Sequence, residues 1–550
     1  MLKKIHCFTI VGCILLASSF LGLSEADGIE SEEFRVAFIE VLEFKPVKYL
    51  GIDTFGRDST TIENKLSQFY HKHDLQPFWV STDGPGKRAR QIYDALLAAD
   101  KEGLDSRRYF IDRIEKYWKS TDAIELVRLD VLLSLGLIRY VADLREGRVE
   151  PFKLDPKLFA TAREFELDWD DLRQQVLATQ DMKPFLDSQI PPFRQYHKLK
   201  EALMKYREIR ADGGWEPILE GEVLKSGMED ERMPLIRKRL TVTGDLKIDS
   251  MAGSIYDEKT LEGVKHFQAR HGLVVDGVVG KETVIIMNVP VDARIRQIII
   301  NMERYRWLNV IEEESLLAVN IAGFRLVGVK KGAFEIDMPV IVGKEYHKTP
   351  VFSDAIKYLV INPYWNIPNS IAKNEMFPKL KKNPNYLKEK NIRLLNGWEP
   401  DAEEVDSTAL DWNSMKKGDI VRYRLRQDPG PNNALGTIKF IFPNKYSVYL
   451  HDTPVHSLFQ QRKRTMSHGC IRVSQPVELA AYVLGGDEAG WGVEKIKQIV
   501  ASGKRTVVPL KKNFPIYILY RTVIFDPESG EINFFTDVYG RDALLEKALF

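Results

Sequence analysis

Ser467-His468-Gly469-Cys470-Ile471-Arg472-Val473 is the stretch from which the rest of this chain is read. It puts a small, flexible residue directly before a cysteine, then alternates polar and apolar side chains in the manner of a strand. Cys470 and Arg472 are two positions apart, so on a strand they share a face. A thiol becomes a nucleophile only when a base or a positive neighbour favours its thiolate. The local supply of such groups is unusual. Of the ten histidines in the chain, His451, His456 and His468 fall just before Cys470. His451 ends the strand-like run Tyr446-Ser447-Val448-Tyr449-Leu450, where a loop begins. The turn before Cys470 offers backbone N–H groups to a tetrahedral oxyanion, and the Arg472 guanidinium suits a substrate carboxylate. The residues alone point to a thiol acyltransferase or hydrolase that needs no cofactor.

Plainer roles exist for each group. Cys470 could be a packed, inert thiol, since free cysteine is often buried. The histidines and Cys470 could bind zinc, but paired-ligand spacings such as Cys-x-x-Cys are absent, so no metal is expected. Arg472 could serve a surface ion pair. Arg462-Lys463-Arg464 reads as a solvated loop face, and Tyr449 and Trp365 read as core aromatics.

Outward from this stretch the texture changes in steps. The chain has 550 residues, 44% hydrophobic and 29% charged, which suits several globular domains. Its formal net charge of +1 gives no bulk attraction for nucleic acid. Lys3 and Lys4 precede an apolar run from Phe8 to Leu23, then Ser24-Glu25-Ala26, the pattern of a secretory leader with cleavage expected after Ala26. That run is shorter than the roughly 20 residues of a span, so an uncleaved anchor is the lesser alternative, and no stable membrane span is expected in the mature chain. Cys7 and Cys13 lie inside the leader, so Cys470 would be the one thiol left after export, with no partner for a disulfide.

Residues 27–221 read as helices broken at Asp83-Gly84-Pro85-Gly86, Gly147 and Pro191-Pro192. Residues 222–290 form a separate small unit with helical stretches at Met233 to Leu240 and Asp257 to His271 and a third start at Lys281. A linking helix is expected over 291–314. From 315 to 550 the pattern alternates like strands, interrupted over about 367–417 by a Lys-, Asn- and Pro-rich insertion of helical and loop character that suits a lid.

These residues carry a resemblance. Phe267-Gln268-Ala269-Arg270-His271-Gly272-Leu273 and Asp276-Gly277-Val278-Val279-Gly280 resemble the three-helix peptidoglycan-binding-like domain. His451, with Cys470 nineteen positions on inside the Ser467 to Val473 stretch, resembles the signature of the L,D-transpeptidase catalytic domain. Asp143-Leu144-Arg145-Glu146-Gly147-Arg148-Val149, Asn362-Pro363-Tyr364-Trp365 and Pro429-Gly430-Pro431-Asn432-Asn433-Ala434-Leu435-Gly436 extend the likeness to the large periplasmic L,D-transpeptidases of Gram-negative bacteria. The implied architecture is multidomain α+β: a helical scaffold, the small three-helix domain, and a mostly-β catalytic domain with an inserted lid subdomain.

The resemblance also implies roles. Cys470 would be the nucleophile and His451 the general base, oriented by the backbone carbonyl of Asp452. Gly469 and Cys470 amides, with Tyr449, would hold the oxyanion, and His468 would be supporting. Arg472, Trp365, Asn433 and Ser467 would contact substrate. The implied reaction is 3→3 cross-linking of peptidoglycan stem peptides in the periplasm, with carbapenems as inhibitors and other cell-wall synthesis proteins as partners. L,D-carboxypeptidase activity, attachment of a lipoprotein lysine, and an inactive wall-binding scaffold are the alternatives.

Overall fold

The computed structural model describes residues 25–43, 59–155, 167–248, 250–308, 314–399, 401–526 and 528–550. Residues 1–24, the body of the expected leader, lie outside them. The chain divides into two compact units, Met1–Gly147 with Glu164–Pro192, and Arg148–Arg163 with Phe193–Phe550. Among the described residues no helix is long and apolar enough to cross a membrane.

The first unit is helical. Its centre is the helix Ala123–Arg145, which starts where the Asp122 side chain accepts from Glu125 N–H. This helix is buried around most of its circumference, because Leu129, Val131, Leu132, Leu133 and Leu135 leave no polar stripe. Phe38, Tyr70, Ile92, Leu96 and Tyr109 pack about it. Within that shell Asp130 is fully buried. One of its oxygens accepts from Phe78 N–H (3.0 Å), Trp79 N–H (2.7 Å) and Val80 N–H (3.3 Å), and the other accepts from Tyr70 OH (2.7 Å). A carboxylate thus satisfies the backbone N–H groups of the turn after Ser59–His71.

In the second unit the helix Arg194–Ala211 packs on Val291–Arg306. Sequence texture places it with the scaffold region; the buried Arg306 guanidinium binds it here, donating to Tyr196 OH (3.1 Å) and Glu303 Oε2 (2.8 Å). Residues 222–290 form three helices, Met233–Thr243, Glu258–Arg270 and Lys281–Met287, around Leu240, Val264, Phe267 and Met287. Gln268 ties the Gly-rich turn to this core: its Oε1 accepts from Gly277 N–H (2.8 Å) and its Nε2 donates to Val278 O (3.0 Å). The module is fastened to the catalytic region by His266 against Glu531 (2.7 Å) and by Arg462 donating to Gly272 O (3.0 Å).

The catalytic region is a nine-stranded mixed sheet in the order Thr465–Ser467, Ala333–Gly343, Ile471–Val473, Leu450–His451, Ile438–Ile441, Phe352–Ile361, Thr506–Leu519, Ser315–Asn320 and Arg325–Lys330. The last strand also pairs with Ala333–Gly343, so the sheet curls back on itself and has few open edges. Alternation sorts the side chains. Val340, Val342, Ile438, Phe440, Leu450, Ile471 and Val473 enter one apolar cluster; the residues between them face the other way.

The insertion differs from expectation. The expected helix and loop are present over 367–417, with helices at Phe377–Lys382 and Tyr386–Glu389, but a small sheet that was not expected stands beside them, in the order Trp365–Asn366, Arg424–Gln427, Ile392–Leu395, Glu404–Val405, and carries the subdomain on to Gln427. Phe377, Leu380, Trp412 and Ile420 form its core. These strands are two to four residues long and carry Arg393, Arg424 and Arg426, too short and too charged to show an alternation.

Asp130→Ala would leave three backbone N–H groups without their acceptor and leave the Tyr70 hydroxyl with Ser134 alone. It is expected to lower the stability of the helical unit by roughly 3 kcal/mol or more, read as an earlier transition in urea followed by the near-ultraviolet signal of Trp79; an unchanged midpoint would contradict the role given to this carboxylate.

Candidate active site

The site is assembled by strand register. Leu450–His451 runs parallel to Ile471–Val473, with His451 opposite Arg472. On its other side it pairs antiparallel with Ile438–Ile441, with His451 opposite Lys439. Residues directly opposite one another project from the same face, as do residues two apart on one strand. Lys439, Tyr449, His451, Cys470 and Arg472 therefore share the face opposite the apolar cluster. Ile471 N–H donates to Tyr449 O (3.1 Å), which sets Cys470 at the mouth of this pairing.

His451 is 5% exposed. Its Nδ1 lies 2.5 Å from the backbone carbonyl of Asp452. A carbonyl only accepts, so Nδ1 carries the proton and Nε2 is left as the acceptor. Burial, then the positive charges of Arg472 and Lys439, pull the imidazole down to about 3. It is a neutral base at physiological pH. Asp452 is itself held: Oδ2 accepts from Thr437 N–H and Oγ1 (both 2.8 Å), and Oδ1 accepts from Thr453 N–H (2.7 Å). Gly436 lies so close that a Cβ there would stand 2.3 Å from the Asp452 carboxyl carbon.

Cys470 is half-buried. Burial pushes its thiol up, and four groups pull it back: the Tyr449 N–H and hydroxyl, which hydrogen-bond the sulfur, then Lys439 and Arg472. The sulfur also reaches Ser447 O at 3.8 Å. Ser447 has φ +56°, and the turn that strains it is pinned by Asn444, which donates to Phe442 O and Val448 O. Arg472 is half-buried with its Nε lacking a partner. A neutral imidazole, a hydrogen-bonded thiol and a guanidinium on one face can accept a proton, attack a carbonyl and hold a carboxylate.

The same segments match known families. Residues 314–508 match the family model of the L,D-transpeptidase catalytic domain. The chain carries an L,D-transpeptidase catalytic domain. Residues 64–203 match a scaffold domain, and residues 230–287 match the model described as "Putative peptidoglycan binding domain". A Haemophilus influenzae protein named "Putative L,D-transpeptidase" is 35% identical over 230 residues, which is 42% of this chain and 45% of that protein. The match thus spans under half the length of that relative. Solved structures of L,D-transpeptidases from Mycobacterium smegmatis (15% identity, TM-score 0.18, 37% of this chain and 58% of that one) and Stackebrandtia nassauensis (12% identity, TM-score 0.21, 55% and 97%) are similar in part.

Three expected members of the L,D-transpeptidase site have other work. Asn433 is 1% exposed; its amide donates to Pro363 O and Asp428 O (both 3.0 Å) and its Oδ1 accepts from Leu435 N–H (2.8 Å), so it closes the end of the lid and does not face substrate. Ser467 is 2% exposed, and its hydroxyl donates to Cys470 O and accepts from Gly469 N–H (3.1 Å). It shapes the turn. For the same reason the Gly469 amide, expected at the oxyanion, is turned inward to Ser467. The turn needs Gly469 at φ +114°, and Thr349 Oγ1 holds its carbonyl (2.9 Å).

His468 points away from Cys470 toward the lid, where its Nε2 meets Glu375 Oε1 (2.5 Å). Trp365 starts the lid sheet opposite Gln427 and is half-buried against the lid core. Lys439, Thr349 and Glu375 escaped the sequence reading. For Lys439 a signal was there: a lone lysine inside the apolar strand Ile438–Ile441.

The His451 imidazole is expected to stay neutral, with the proton on Nδ1, from about pH 5 to pH 8 in ¹⁵N NMR spectra; a titration near the ordinary histidine value of 6.5 would contradict the geometry. Because its pKa is lower folded than unfolded, the folded state holds fewer protons between about 3 and 6.5. This residue therefore takes stability away as pH falls through that window.

Proposed function

We propose that this protein is a cell-wall L,D-transpeptidase, exported to the periplasm, that works through a thioester on Cys470. The observation that carries this is the register placing His451 opposite Arg472 on the face that bears Cys470. In the first step the sulfur attacks the carbonyl of the third, diamino-acid residue of a tetrapeptide stem. The bond to the terminal D-alanine breaks, and its amine leaves with the proton that His451 took from the thiol. In the second step the side-chain amine of a neighbouring stem attacks the thioester, the C–S bond breaks, and His451 relays the amine's proton back to sulfur. The product is a 3→3 cross-link.

Each group has a physical reason to serve. His451 Nε2 is unprotonated, and its Nδ1–H is fixed by Asp452 O, so the imidazole can take a proton without turning. Arg472 makes no ion pair with a carboxylate among the described residues, and its guanidinium suits the carboxylate of a stem peptide. The Cys470 N–H is the amide next to the reacting sulfur, and with the Gly469 amide bonded to Ser467 it is the better placed of the two for the oxyanion. The module at residues 222–290 would hold the protein to the wall while the catalytic region works.

The test is incubation of purified protein with disaccharide-tetrapeptide and mass spectrometry of the products. Wild type is expected to release D-alanine and give a cross-linked dimer, and Cys470→Ala to give none. Equal yields from the variant would overturn the mechanism. Tripeptide without dimer would make the enzyme an L,D-carboxypeptidase, with water as acceptor; transfer to a lysine-bearing lipoprotein peptide would make it an attachment enzyme.

Carbapenems supply a second check. A stoichiometric adduct is expected on the Cys470 peptide of wild type, and none on Cys470→Ala.

A further inference from the structure

The active-site face carries a group that the proposed mechanism does not use. Lys439 lies in the strand Ile438–Ile441, directly opposite His451, which is in turn opposite Arg472. The three side chains form a row across three strands. Lys439 Nζ stands 3.8 Å above the centre of the Tyr449 ring, a cation–π contact that is strengthened where water is partly excluded. The hydroxyl of that same ring is hydrogen-bonded to the Cys470 sulfur.

The charge balance around this row is one-sided. Neither Lys439 nor Arg472 makes an ion pair with a carboxylate among the described residues; for each, the opposite charge that acts on it is the Cys470 thiolate. Both are partly desolvated, which lowers each from its usual range. The other titratable groups about the thiol do not change the sign of this field. His451 is neutral, Tyr449 is a neutral donor, and the Glu375 carboxylate of the lid is already against His468. Two cations near the imidazole keep it neutral until it takes the thiol proton, and the same two charges favour the thiolate that is left behind.

We infer that Lys439 is a positioning residue of the nucleophile: together with Arg472 it lowers the cost of the thiolate that forms when His451 takes the Cys470 proton, and by lying on the Tyr449 ring it keeps the phenol hydroxyl aimed at the sulfur. The thiolate, once formed, faces two cations while the imidazole carries the proton to the leaving amine. This inference deepens the assignment of Cys470 as the nucleophile, but it is independent of which acyl group the enzyme transfers.

The experiment is the pH dependence of Cys470 alkylation by iodoacetamide in the full-length protein, with thermal unfolding measured on each variant. Lys439→Met keeps the length of the buried stem and removes the charge. It is expected to move the titration midpoint of the thiol up by about one pH unit and to slow alkylation near neutrality about tenfold. Lys439→Arg keeps the charge and is expected to retain a profile close to wild type. A Lys439→Met profile that superimposes on wild type would overturn the inference. So would equal losses in Lys439→Met and Lys439→Arg, since charge would then not be the cause. If alkylation follows the charge while the tetrapeptide assay shows no acyl transfer, the inference stands and the transpeptidase reading falls.

Discussion

The functional face rests on one short parallel pairing, Leu450–His451 beside Ile471–Val473. Two strands of two and three residues have little stability of their own. They are held because each has a partner on its other flank, Ile438–Ile441 for the first and Ala333–Gly343 for the second. They are also held because Leu450, Ile471 and Val473 are buried in the apolar cluster below. A slip of one residue would drive His451 and Arg472 into that cluster and lift Leu450 and Ile471 out of it. The apolar side of the sheet thus specifies the register, and the register delivers the chemistry to the other side.

Around that pairing the protein fixes groups in states they would not choose in water. Burial and two neighbouring cations keep His451 unprotonated. Ser447 and Gly469 both hold left-handed backbone, each locked by a side chain, Asn444 for the first turn and Ser467 with Thr349 for the second. Strain of this kind persists only where surrounding bonds over-determine it. Here it aims a carbonyl at the thiol and turns the Gly469 amide inward. The lid reaches the same turn through Glu375 and His468, so the peptide that carries Cys470 is linked both to the sheet beneath it and to the inserted subdomain.

Much of the fold was legible because its signals are local. The helix Ala123–Arg145, the three small helices near residues 233–287 and the alternation after residue 315 each show a period that burial imposes directly. The lid sheet was not legible. Its strands are short, its arginines interrupt the alternation, and it is stabilised by a core assembled from residues as far apart as Ile367 and Leu425. The helix Arg194–Ala211 looked like part of the scaffold because its sequence is helical like its predecessors. It packs along Val291–Arg306, where Arg306 donates to Tyr196 from more than a hundred positions away, while the scaffold match itself runs to residue 203.

The site divides along the same line. Cys470, His451 and Arg472 could be named from sequence because a thiol, an imidazole at a strand end and a guanidinium two residues on declare their chemistry by type and spacing. The roles of Asn433, Ser467, Gly469 and Lys439 could not be. The first three are polar groups near a nucleophile, and only their hydrogen bonds to Pro363, Cys470 and Ser467 reveal that they hold the turn and the end of the inserted subdomain. Lys439 is a single charge in an apolar strand, and only register puts it opposite His451. Sequence alone determined which reactive groups the chain owns. Tertiary structure decided which of them meet, because hydrogen-bond partners and facing charges come from strands that are distant along the chain and adjacent in the sheet.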